Sequence, residues 1–284
     1  MRSLLPLNLL ILLVSCTPSG QVVESGSSSK AINQEAPYIW ENKFFPKTLK
    51  ISTSFNEDEI NSIKDMGIAW SDSVNNKKTF LNLESSTSNS FDIDSPDGVL
   101  GIYKSLNWPS DVSTSALAIT QLYGRRHNIG DPDEYVGIEH ADILVNYASG
   151  FEFDATDDGQ YDGYDLKTVV LHEMGHFLGL QHIPVYYDRP DEDEDLTLNQ
   201  YKATSVMYPS ISGTEVKRSP KPKDIDQLTS KYSISSAVAM AARFKPKAND
   251  PGENVKIVIE LRANGECLHK ENGALVRRHQ IKIK

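Results

Sequence analysis

The sequence predicts an α+β fold, and three observations carry that prediction. Short stretches with alternating apolar residues recur along the first half of the chain. Between and after them lie longer segments with helical spacing and capping residues. Residues 250–284 then alternate again around two Asn-Gly turns, with no helical pattern.

Each element can be justified in order. Within Tyr38–Phe55, the alternation Leu49-Lys50-Ile51-Ser52-Thr53 predicts a first strand. Asn56-Glu57-Asp58-Glu59 has the spacing of a capping box, and Ile60, Ile63, Met66 and Trp70 mark the buried face of the helix behind it. Phe80–Leu83 and Val99–Tyr103 read as short strands separated by a Ser/Asn-rich loop. Thr114–Arg126 (TSALAITQLYGRR) is expected as a second helix, and Glu139–Ala148 (EHADILVNYA) as a strand buried on at least one face. Phe153–Asp165 is an Asp/Gly-rich loop whose last residue can cap a helix from Leu166 to about Leu178. A last helix is expected from Asp224 to about Tyr232. NVKIVIELRA, Glu266–His269 and Ala274–Ile283 then form a small β-meander.

The 284 residues are 39% hydrophobic and 24% charged, an ordinary globular composition, and the net charge of −10 argues against wrapping nucleic acid. Arg2 followed by the apolar run Leu4–Val14 is shorter than the roughly 20 residues of a spanning helix and fits a secretory signal. The run ends in LVSC (Leu13–Cys16), which resembles the lipobox of bacterial lipoproteins. That resemblance implies removal of residues 1–15, lipidation of Cys16 and anchoring to a bacterial membrane. Thr17, in place of the inner-membrane retention Asp, implies the outer membrane or cell surface rather than the inner membrane. Residues 16–36 are serine-rich and read as a flexible tether, 37–235 as the main domain, and 236–284 as a β-rich extension. With Cys16 lipidated, Cys267 has no disulfide partner and is expected to be a small buried apolar residue.

Residues 172–182 read HEMGHFLGLQH and hold three of the chain's seven histidines. On a helix, His172 and His176 share one face and present two imidazoles to one ion. Glu173 lies about 100° round the same helix, beside that ion. Gly179 can stop the helix in the left-handed conformation, so that the chain turns back and delivers His182 as a third ligand. Three protein ligands leave a tetrahedral position open, which is the pattern of a catalytic Zn2+ with Glu173 as the proton-accepting base. His127, His140, His269 and His279 are scattered, and surface or core roles are expected for them.

HEMGHFLGLQH matches the extended zinc motif HExxHxxGxxH, and the chain resembles the metzincin metalloproteases. SVMYP (Ser205–Pro209) fits their Met-turn at Met207. ADILVNY (Ala141–Tyr147), YDLKTVVLHE before the zinc helix and DIDQLTSKY (Asp224–Tyr232) bring the match closest to matrixins, from about Tyr38 to Tyr232. The resemblance implies a twisted, mostly parallel sheet with an antiparallel edge strand, packed on two long helices, and a small C-terminal subdomain after Gly179. It implies that the ADILVNY strand sits at the sheet edge and pairs with an extended polypeptide substrate. Met207 would underlie the zinc, and Tyr208 and Pro209 would begin the wall of the substrate pocket. The implied activity is that of a zinc-dependent endopeptidase. The alternatives are a catalytically retired, lipid-anchored binding or adhesion protein, and a zinc amidase acting on cell-wall peptides. The propeptide cysteine of animal matrixins has no counterpart, and no histidine between Glu152 and Leu171 provides for their second zinc. The loops Asp154–Asp165 and Asp191–Asp195 read as solvated acidic loops, with Ca2+ binding as the alternative, because EF-hand spacing is missing.

Overall fold

A computed structural model describes residues 36–41, 45–74, 79–86, 95–156, 163–182, 204–209, 211–232 and 244–280. The signal and lipidation motif at Cys16, the tether and the acidic run Asp191–Asp195 lie outside the described residues. Residues Ala36–Lys284 form one compact unit.

The order of elements begins β1 (Tyr38–Trp40), β2 (Lys47–Ile51), α1 (Glu57–Asp72), β3 (Leu81–Ser85) and β4 (Gly101–Ser105). It continues with β5 (Ala116–His127), β6 (Tyr135–Asn146), β7 (Phe153–Asp154), β8 (Tyr164–Asp165) and α2 (Leu166–Phe177). After α2 come α3 (Pro222–Tyr232), β9 (Glu253–Arg262), β10 (Glu266–Glu271) and β11 (Ala274–Gln280).

The predicted capping box forms. Asn56 accepts from Glu59 N at 2.9 Å, and the Glu59 carboxylate accepts from Asn56 N at 2.7 Å. Ile63, Met66 and Trp70 are buried along one face of α1, as their spacing requires.

The sheet runs β11-β10-β9-β5-β6-β4-β2-β3. The half containing β3, β2, β4 and β6 is parallel, and β1 also joins β6 in parallel, at Tyr38↔Val136 to Trp40↔Ile138. From β6 outward through β5, β9, β10 and β11 every pairing is antiparallel. Apolar side chains of α1, α2 and the sheet merge into one core that includes Leu49, Ile51, Ile63, Trp70, Ile143, Val170, Met174 and Ile259.

Two expectations need correction. Thr114–Arg126 is not a helix: Ala116–His127 is strand β5, with a bulge beside Tyr123/Gly124 where it pairs with β6. Its first seven residues are all buried, because core lies on one face and Tyr103, Val112, Leu144 and Val258 pack on the other. Burial on both faces erases the alternation that identifies a half-exposed strand. The ADILVNY segment is not at a sheet edge either. It lies in β6, which has β5 on one side and β1 and β4 on the other.

β5 runs antiparallel to β6, and β9 continues the sheet past it, so β5 is not an edge. The ladder runs from Ala116↔Arg262 to Arg126↔Glu253. The C-terminal meander is therefore part of the main sheet.

Replacing Asn56 by Ala removes the accepting half of the capping box. A loss of about 1 kcal/mol is expected, or roughly 2–4 °C in a thermal melt of a chain this size, with zinc content unchanged. A melt identical to that of the wild type would mean that the cap contributes nothing.

Candidate metal centre

The centre is built on α2, every residue of which is buried. Asp165 caps its N-terminus, accepting from Thr168 N at 2.6 Å, and is itself gripped by both Arg218 terminal nitrogens at 2.7 Å. Trp70 Nε1 donates to Leu171 O at 2.9 Å, inside the helix. At the other end Trp40 Nε1 donates to Phe177 O and Tyr232 Oη to Leu178 O, each at 2.8 Å. The last two bonds occupy carbonyls that the helix end leaves without partners.

Gly179 then reverses the chain at φ +82°, where a Cβ would also meet Tyr38 O at 2.5 Å. Gly179 N bonds His176 O and Leu180 N bonds Gly175 O, both at 2.8 Å, closing the helix. The turn brings His182 back over the helix face carrying His172 and His176.

The three Nε2 atoms converge. His176 to His182 is 3.0 Å, His172 to His176 is 3.1 Å, and His172 to His182 is 3.2 Å. Tetrahedral zinc–imidazole bonds of about 2.0–2.1 Å place ligand nitrogens about 3.3 Å apart, so the triangle fits that ion. His172 Nδ1 lies 2.8 Å from Val206 O, and His176 Nδ1 lies 2.9 Å from Leu180 O. A carbonyl accepts only from N–H, so both rings carry their proton on Nδ1 and leave Nε2 bare for metal. Burial holds the His172 pKa down to about 3 and also lowers those of His176 and His182. All three rings therefore stay in the neutral, ligating form.

Glu173 is fully buried beside the triangle. Burial pushes its pKa up to about 8, against the opposing pull of a hydrogen bond from Thr120. Thr120 Oγ1 on β5 contacts the Glu173 carboxylate and lies 3.1 Å from its main-chain oxygen. Sequence reasoning missed Thr120 because the segment was expected to be a helix. A cation in the histidine triangle would favour the ionised carboxylate.

Met207 packs against α2 at Gly175. A Cβ on Gly175 would come within 2.2 Å of Met207 Sδ, so the glycine is what lets the turn approach. Tyr208 and Pro209 follow it and are buried. The turn is held by Asp224 of α3, whose carboxylate accepts from Ser205 Oγ and, at 2.8 Å each, from Val206 N and Lys221 N. The chain of contacts from Asp224 through Val206 to His172 ties α3 to the metal site.

Two histidines expected to lie elsewhere are also here. His269 on β10 places Nε2 3.2 Å from His182 Nδ1, and the His279 ring on β11 is centred 4.8 Å from that of His182. Cys267 is buried in the apolar core as expected, and its sulfur also lies within 4.8 Å of ligand atoms of His182 and His269. The residues share one strand face at period 2, yet no sequence signal says which partner that face meets. His127 and His140 stay apart, bonded to Glu41 and Asp142. Among the described residues, the two groups able to hold a metal consist of His and Cys, and the Asp154–Asp165 loop contributes to neither.

A family model described as matrixin matches residues 39–188. The chain belongs to the matrixin family. Membership makes it a zinc metallopeptidase by family, and the histidine triangle of this matrixin is compatible with that metal. No curated protein matches the chain.

Asp224→Ala would leave several buried donors unpaired in this matrixin. We expect a loss of roughly 1–3 kcal/mol of stability and about 10–100-fold weaker zinc binding through His172. Competition with a chromophoric chelator measures the second, and unchanged affinity would show that the Met-turn is held without α3.

Proposed function

We propose that this matrixin is a zinc-dependent endopeptidase with Glu173 as general base. The observation that carries the reading is three converging imidazole nitrogens with one buried carboxylate on the helix that supplies two of them. His172, His176 and His182 would hold the ion. Zinc, when bound there, supplies Lewis acidity that acidifies water and polarises a peptide carbonyl.

The chain's own part is proton handling. Glu173 takes the proton of the attacking water and returns it to the leaving amine. Thr120 holds the Glu173 side chain towards the site and leaves one oxygen, Oε1, without a protein partner. The substrate class is an extended polypeptide. Because β6 is interior and β5 is paired with β9, the sheet edge on the metal side is β11, and we assign the substrate strand to that edge. Tyr208 and Pro209 would wall the adjoining pocket.

Glu173→Gln should retain zinc and lose roughly 10²–10⁴-fold in the rate of casein hydrolysis. Wild-type turnover by that variant would remove Glu173 from the role of base. The retired-scaffold alternative predicts no chelator-sensitive cleavage of any polypeptide by the wild type. The amidase alternative predicts cleavage of cell-wall peptides alone.

We also propose export and anchoring by lipid on Cys16, on the strength of the LVSC motif after the Leu4–Val14 run. No helix among the described residues is long and apolar enough to cross a membrane. Cys16→Ser should move the protein from the membrane pellet to the soluble fraction and abolish labelling by radioactive palmitate. Persistence in the pellet would point to another anchor.

A further inference from the structure

The hairpin of β10 and β11 contains three Cys or His residues, and its register puts them on one face. Cys267 and His269 are two apart on β10, and His279 of β11 is the direct partner of Cys267. In the sheet, β10 follows β9 and β5, so this face continues the one on which Thr120 reaches Glu173. The hairpin thereby brings its three soft or borderline donors to His182.

His182 differs from its two companions. The Nδ1 atoms of His172 and His176 are each held on a main-chain carbonyl, whereas Nδ1 of His182 faces His269 Nε2 at 3.2 Å. The Cys267 thiol completes a group whose ligand atoms all lie within 4.8 Å of one another. All three residues are buried, at 5% exposure for His182 and 0% for the others. The His279 ring is centred 4.8 Å from His182 and 5.2 Å from His269, at the border of the group. Holding one imidazole in place requires a single acceptor. A thiol and two further imidazoles gathered there are more than that task needs.

We propose that His182, Cys267 and His269 form a second metal-binding position, adjoining the histidine triangle and sharing His182 with it. A thiolate with imidazoles selects a borderline-soft divalent ion of the zinc type over magnesium or calcium. His182 bridges the two positions, with Nε2 towards the triangle and Nδ1 towards the outer ion. Loading the outer position releases two protons to solvent, one from the Cys267 thiol and one from His182 Nδ1. The inference rests on the proposed zinc centre only through His182 and does not require peptidase activity.

The test uses the full chain carrying Cys16→Ser, in which Cys267 is the one remaining thiol. Zinc is counted by elemental analysis, and zinc-edge X-ray absorption reads its neighbours. We expect two zinc ions per chain and a sulfur neighbour at about 2.3 Å. Cys267→Ser or His269→Gln should each lower the count to one and weaken or remove the sulfur shell. Glu173→Gln should leave both unchanged, so loss of proteolysis and loss of the outer ion are read separately. A single zinc per chain, whatever its neighbours, overturns the proposal, and His269 is then a hydrogen-bond partner that orients His182. If Cys267→Ser does not fold, the count and the sulfur shell of the Cys16→Ser chain decide alone.

Discussion

Three buried imidazole nitrogens held 3.0–3.2 Å apart impose a constraint that much of the molecule serves. Without a cation such a cluster is a buried concentration of acceptors, costly unless the surrounding fold fixes it. The helix α2 supplies the spacing, Gly179 the reversal, and two main-chain carbonyls the ring orientations. Further out, Trp40, Trp70 and Tyr232 pin α2 through its carbonyls, and Asp224 pins the Met-turn. Nearly every long-range side-chain bond in this region therefore reduces the freedom of the same three rings.

The features legible in the sequence were those whose cause is local. The capping box at Asn56, the Asp165 cap, the stop at Gly179 and the i, i+4 histidines depend on residues a few positions apart, and all are in place. Misreadings arose where the deciding contact is distant. The first seven residues of Ala116–His127 are all buried because β9 and the segment around Trp108 and Val112 complete their surroundings. Residues far away in the chain fix their state, so local pattern is uninformative there. His269, His279 and Cys267 illustrate the same limit. Their shared face follows from alternation, while the identity of what they face follows from strand order alone.

Strand order also changes how the site must be viewed. The outer hydrogen-bonding groups of β5, the strand that carries Thr120, belong to β9. Glu173, His172 and His176 have no exposed surface, and His182 has 5%. A low-dielectric setting of this kind strengthens the interaction between Glu173 and any bound cation.

The pairing of β9 with β5 has a consequence for biogenesis. The twelve residues of β5 are synthesised first, and the strand that covers their outer side leaves the ribosome only after residues 128–252 have been made. Until then the nascent protein displays a long, apolar row of unsatisfied amides and carbonyls, the kind of edge that recruits other chains. β9 thus acts as the seam that closes the sheet over β5, and a message truncated upstream of Glu253 would release a product prone to self-association.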